Sequence, residues 1–232
     1  MPTKLGSAPM IRLRQAVIAA TNLTETVAEL QDAFGLTVCF RDPGVAEFGL
    51  TNALMPIGDQ LLEVVSPQHP GTAAGRLIER RRGNCGYMVM FEVDDLDRRM
   101  DLAREQGVRT VWSGDIIEHP VSIRGRHLHP KDVGAIISLD ETEPWGSWHW
   151  AGPAWSAHRD VSVVTAIAGV TIGSDDVKAT TQRWNDLELT VGLTATSSGS
   201  AGPGLDAIEL VAADRQRAQT SVTVAGVEFR LV

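Results

Sequence analysis

The chain is poor in the features that announce several common functions. Of its 232 residues only two are cysteines, Cys39 and Cys85. Their spacing matches neither a metal site nor a redox pair, so they read as two small core residues kept as thiols in a reducing compartment. Positive charge is also scarce, with a formal net charge of −8. That excludes a non-specific polyanion partner, because nucleic-acid binders need a basic face to displace counterions. No stretch approaches the roughly 18 apolar residues of a membrane helix, and Met1–Met10 lacks the apolar centre of a signal peptide. A cytoplasmic protein with no membrane partner is therefore expected. Nucleophile motifs, phosphate loops and Cys/His zinc sets are missing too, which removes support for hydrolase and nucleotidyl-transfer chemistry.

What the chain has is repetition. Ala16–Val38 runs from an apolar strand through a polar turn and an amphipathic helix to Leu-Thr-Val, and Val170–Val191 repeats that order in diverged form. A third copy starts at Met88-Val-Met-Phe-Glu-Val93, with a helix opening at Asp94-Asp-Leu-Asp97, running to Glu105 and stopped by Gly107. Strand patterns follow each helix. In the first module they fall at Thr37–Phe40, Ala46–Leu50 and Gln60–Ser66. The second has them near Thr110–Trp112, His127–His129 and Ala135–Leu139, and the third at Leu205–Val211 and Val222–Leu231. An α+β fold of βαβββ modules is expected, with modules at 11–67 and 86–140 and a third over 161–232. Between them, residues 141–160 carry Trp145, Trp148, Trp150 and Trp155, four of the six tryptophans. Rings of that size are normally buried. The segment therefore reads as a strap packed between domains, the alternative being a lid over an aromatic ligand.

The modules, the Val93-Asp-Asp-Leu-Asp97 turn and the Leu61-Leu-Glu-Val-Val-Ser-Pro67 strand resemble the vicinal oxygen chelate superfamily, which includes glyoxalase I, extradiol dioxygenases, bleomycin-resistance proteins and methylmalonyl-CoA epimerase. Over residues 11–140 the wording is nearest the epimerases. Leu62-Glu63 before Ser66-Pro67, Arg76-Leu-Ile-Glu-Arg80, Gly86 before Phe91-Glu-Val-Asp-Asp95, and His129-Pro-Lys-Asp132 occur in that order. The resemblance implies that two modules pair into a half-open barrel of curled strands. In that family, facing strands hold one divalent metal, which grips two substrate oxygens. The corresponding positions here are Gln15, Glu63, the Tyr87-Met88 pair and Ser138.

Only Glu63 among these is a strong ligand for a hard or borderline cation, and Gln15 is a weak one. The expectation is therefore a degenerate centre with no metal, against the alternative of one divalent metal on Gln15, Glu63 and a recruited His127. Tyr87, Met88, Ser138 and His129 are expected to line the pocket, although His129 belongs to a His-Pro-Lys turn with a structural role of its own. Glu63 shares its strand face with Leu61 and Val65, and a carboxylate buried there would have a pKa suited to proton transfer. The third module repeats it as Glu209. Arg76, Arg80, Arg81 and Arg82 read as a solvated helix end more than as an anion grip. Alternation places Arg12 and Arg14 on the face opposite Gln15, as surface or interface residues.

Three functions remain. The first is a protein binding a small organic ligand in the barrel pocket. The second is an isomerase, epimerase or lyase using Glu63 as base or metal ligand, and the third is a ligand-sequestering protein of the resistance type. An unpaired third module leads to the expectation of a homodimer.

Overall fold

The structure, a computed structural model, describes residues 10–118 and 120–232. Met1–Pro9, from which the lack of a leader was read, lie outside the described residues.

The first module is β1 (Ile11–Ala19), α1 (Leu23–Phe34), β2 (Leu50–Ile57) and β3 (Gln60–Pro67). Helix α1 starts where the Asn22 side chain accepts the Glu25 N–H and ends at Gly35, which has a φ of 68°. Its Val27, Leu30 and Phe34 are buried at helical spacing. The strand expected at Thr37–Phe40 shrinks to a single bridge between Phe40 and Leu54. Ala46–Leu50 is not a strand either. Pro43 at the first position and Asp42, whose side chain accepts the Gly44 N–H at 2.8 Å, wind Pro43–Phe48 into a 3-10 turn. The second strand of the module is β2, which begins at Leu50.

Helix α2 (Ala73–Arg81) leads to the second module: β4 (Cys85–Val93), α3 (Leu96–Glu105), β5 (Thr110–Glu118), β6 (Val121–Leu128), α4 (Pro130–Val133) and β7 (Ile136–Glu143). Both modules share one seven-stranded sheet of order β2-β3-β1-β4-β7-β6-β5. At its centre β1 runs antiparallel to β4, while β1 is parallel to β3 and β4 to β7. The paired modules curl this sheet into a half-barrel, as expected.

The rest of the chain forms β8 (Val164–Ser174), α5 (Val177–Asp186), β9 (Leu193–Ser197), β10 (Gly204–Ala212), β11 (Ser221–Val224) and β12 (Val227–Leu231). Their sheet has the order β11-β12-β10-β8-β9. It repeats the pattern of the first, with β10 antiparallel to β8 and parallel to β12. Val222–Leu231 is broken into a hairpin at Ala225-Gly226, whose φ angles of 48° and 72° are those of a tight hairpin turn.

One apolar core joins the two sheets. It contains Leu30 and Phe34 of α1, Val89 and Phe91 of β4, and Ile208 and Phe229 of the second sheet. The rings of Phe34 and Phe229 lie 5.1 Å apart. Where β4 meets the start of β10, a Cβ on Gly86 would overlap Leu205, so the missing side chain is what permits this approach. The third module thus has its apolar partner inside the chain, and module parity gives no reason for a dimer.

The tryptophan segment departs most from expectation. It does not lie between the sheets. It crosses the concave face of the half-barrel, where Trp148, Ala151 and Trp155 join Val17, Leu61, Val65, Met88 and Met90 in a second core.

Candidate functional site

Glu63 sits on β3 within that second core, 7% exposed. Among the described residues its side chain meets no cation. Oε2 accepts the Gln15 Nε2–H at 2.7 Å and Oε1 accepts the Asn52 Nδ2–H at 2.7 Å. Gln15 comes from the neighbouring strand β1. Asn52 comes from β2, whose antiparallel register sets Leu54 opposite Glu63. The outer ends of both amides are fixed. Gln15 Oε1 accepts the Trp148 indole N–H at 2.8 Å, and Asn52 Oδ1 accepts the Asp42 backbone N–H at 2.8 Å. An indole N–H and a backbone N–H can only donate. Each amide must therefore turn its oxygen outward and its NH2 toward Glu63. Burial raises the Glu63 carboxyl to about 7, against the downward pull of these two hydrogen bonds.

The strap is pinned beside this chain by a second polar group. A register shift between Leu13 and Gln15 marks a bulge in β1, and it carries Arg14 to the concave side, where alternation does not place it. Arg14 is 1% exposed and is stacked between Trp148 and Trp155, at 5.4 and 4.8 Å from the ring centres. It donates to the Gly146 carbonyl at 3.0 Å and to the Asp59 carbonyl. Buried Glu92 accepts the Gly146 N–H at 2.6 Å, the Thr142 hydroxyl and Arg12 at 2.6 Å. Burial, then the neighbouring Arg12 charge, lowers Arg14 to about 10, with Glu92 and Asp59 pulling the other way. Arg12 and Arg14 are therefore strap anchors; Arg14 is no surface residue.

Further along the same face, Ser138 and Asp140 of β7 are fully buried. The Trp150 indole donates to Asp140 Oδ1 at 2.9 Å. Burial lifts Asp140 to about 7. His127 on β6 pairs with Ser138, and its ring lies 4.4 Å from that of Trp112. Burial lowers His127 to about 4, so it is neutral at physiological pH. In sheet order it lies three strands from Gln15. The structure thus joins Gln15 to Glu63 by a hydrogen bond, and among the described residues His127 makes no hydrogen bond to either. Met88 packs in the concave core. Tyr87 is half-buried at its edge, where burial and then the Glu63 charge raise the phenol to about 12. His129 caps α4, its Nδ1 accepting the Lys131 N–H at 3.0 Å, the structural role its turn implies.

Asn52, Trp148 and Arg14 were not legible as site residues. Asn52 does stand out as the amide in the apolar run Leu50–Ile57, and it could have been found on that ground alone.

These donors do not fit a divalent metal. Glu63 is the one strong ligand among the positions the resemblance implies, and the Gln15 oxygen is held by an indole. Met88 offers only a thioether. Among the described residues, no group of three or more His, Cys, Asp and Glu is placed to hold a metal. Nor is any helix there long and apolar enough to cross a membrane.

A family model described as a glyoxalase-like domain matches residues 16–188. The chain belongs to this glyoxalase-like family of the vicinal oxygen chelate superfamily. Similar solved structures include methylmalonyl-CoA epimerase from Mycobacterium tuberculosis, 24% identical, covering 56% of this chain and 86% of that one at a TM-score of 0.48. The Streptomyces coelicolor methylmalonyl-CoA epimerase, as a variant in complex with 2-nitronate-propionyl-CoA, is 23% identical over 56% of this chain and 96% of its own, with a TM-score of 0.49. A hypothetical protein from Staphylococcus aureus, 10% identical, covers 96% of this chain and 99% of its own at a TM-score of 0.70. That protein therefore shares the fold across both sheets. No curated protein matches.

The raised pKa values of Glu63 and Asp140 fix the sign of a pH dependence. Between the ordinary carboxylate range and about 7 the folded chain holds protons that the unfolded chain releases, so this contribution to stability falls as pH rises and is level above. His127, with a lowered pKa, acts in the opposite sense, so variants must be compared with the parent. From about pH 5.5 to 8, Glu63→Gln and Asp140→Asn should each remove up to about 2 kcal/mol of the loss, read by urea unfolding. A pH slope identical to the parent's in both variants would contradict it.

Proposed function

We propose that this glyoxalase-like protein binds a small organic ligand on the concave face of the half-barrel, where the strap lies, with Glu63 as its anchor and without a metal. One observation carries the reading: Glu63 is a buried carboxyl with no counter-cation among the described residues. Burying a charge that way costs stability, and an apolar side chain would fit the surrounding core better. Such perturbed carboxyls concentrate at functional sites. In this reading the Trp148 indole stands where a ligand's hydrogen-bond donor would bind, and binding displaces the strap.

A carboxyl poised near neutrality also favours a second reading, an isomerase or epimerase in which Glu63 moves a proton to or from carbon without metal assistance. Sequestration of an aromatic ligand needs the same opening of the strap but no proton transfer. The chain is read as cytoplasmic. A homodimer would have to use a surface other than the apolar face of the second sheet. Light scattering decides that point, and a 25 kDa species would remove the dimer.

The reading is tested by ligand-observed NMR with a library of aromatic and short-chain organic molecules. Trp148→Ala should bind its hits at least about tenfold tighter than the parent, because the covering indole is gone, and adding Glu63→Gln should abolish that gain. Hits indifferent to Glu63→Gln, or a stoichiometric divalent metal lost on Glu63→Ala, would contradict it.

A further inference from the structure

A cleft of about 950 Å³ runs between the two sheets, at the edge of the strap-covered face. Arg76 and Arg80 enter it from α2, one helical turn apart; Lys131 comes from α4 and Arg183 from α5. Tyr87 and Ile136 supply an apolar floor.

The charges here are unevenly matched. Arg76 donates to the Gly71 carbonyl at 2.5 Å and Arg183 to the Gln106 carbonyl at 2.6 Å, so neither meets a carboxylate in those bonds. Arg80 and Lys131 are exposed, and among the described residues their side chains make no hydrogen bond or ion pair. Three carboxylates also line the cleft, but each is engaged. Asp132 accepts two hydrogen bonds from the Arg109 guanidinium, at 2.9 and 2.6 Å. Asp175 accepts the Ser198 hydroxyl at 2.5 Å, and Asp176 caps α5 by accepting the Ala179 N–H at 2.9 Å. In a chain of net charge −8, four cations against three carboxylates, one of them paired with Arg109, leave this cleft locally positive around its apolar floor.

We propose that this cleft binds an organic dianion, with its oxyanion head between Arg76, Arg80 and Lys131 and its apolar part on Tyr87 and Ile136. Planar guanidinium forks suit the oxygens of a phosphate or carboxylate head, and the ammonium of Lys131 adds charge from α4. The floor selects an organic ligand over an inorganic ion, because covering it removes apolar surface from water. The cleft adjoins the concave face through Tyr87 and Ile136, which pack against its core, but no member of the Glu63 hydrogen-bonded chain lines it.

Calorimetric titration of the full-length protein at low ionic strength tests this, with inorganic phosphate, phenyl phosphate and phthalate as probes. Phenyl phosphate or phthalate should bind at least about tenfold tighter than inorganic phosphate, and the better of the two identifies the head as a phosphate ester or a dicarboxylate. Arg80→Ala with Lys131→Ala should weaken that binding about tenfold or more, and circular dichroism should show the fold of this surface variant intact. No binding of either organic probe at about 10 mM would overturn the proposal. Equal affinity for inorganic phosphate, or an affinity that survives the double substitution, would overturn it as well.

Discussion

The polarity of one hydrogen-bonded chain organises the concave face. At one end stands an indole N–H and at the other a backbone N–H, and neither can accept. Between them two amides and a carboxyl have a single arrangement that satisfies every member: Trp148 to Gln15 to Glu63, met by Asp42 to Asn52 to Glu63. In it Glu63 must accept twice, which favours the carboxylate, while burial favours the acid. These opposed demands hold the group near neutrality. Gln15 and Glu63 are thus turned onto one another and onto a tryptophan.

The strap depends on the bulge in β1 as much as on its own aromatic rings. Alternation would send Arg14 to the helix-covered face, where a guanidinium would lie in the main apolar core. One extra residue in the ladder turns it under the strap instead, between Trp148 and Trp155 and beside Glu92. The strap backbone at Gly146 is then gripped through both its N–H and its carbonyl. The charged anchor and the neutral Gln15 contact fasten the same segment, so opening the concave face requires breaking both.

Much of the fold was legible because it rests on local signals. The β1–α1 repeat, the Asp94–Asp97 helix start and the Gly107 stop are written in residue type and spacing, whereas Gln15 and Glu63 came together only through the family resemblance. The errors arose where long-range context decides. Ala46–Leu50 looked like a strand until Pro43 and Asp42 wound it into a turn, and Val222–Leu231 hid a hairpin because Ala225-Gly226 is a weak turn signal. The strap was recognised as buried, but its place was missed, since four tryptophans reveal a need for cover and not which surface supplies it. Asn52 and Arg14 became visible only with the β2–β3 register and the bulge, neither of which has a marker in a single sequence.

The polarity of the Glu63 chain is tested most directly by a double-mutant cycle between residues 63 and 148, whose side chains are both hydrogen-bonded to Gln15. Glu63→Gln sets a new NH2 against one of two inward-facing NH2 groups, and with the indole present Gln15 cannot turn over to relieve it. Trp148→Phe removes the indole N–H and frees Gln15 to turn. Glu63→Gln should therefore cost about 1 kcal/mol less in the Trp148→Phe background than in the parent, measured by urea unfolding. Additive costs would show that no fixed polarity runs from Trp148 to Glu63, and the account of the site would fail with it.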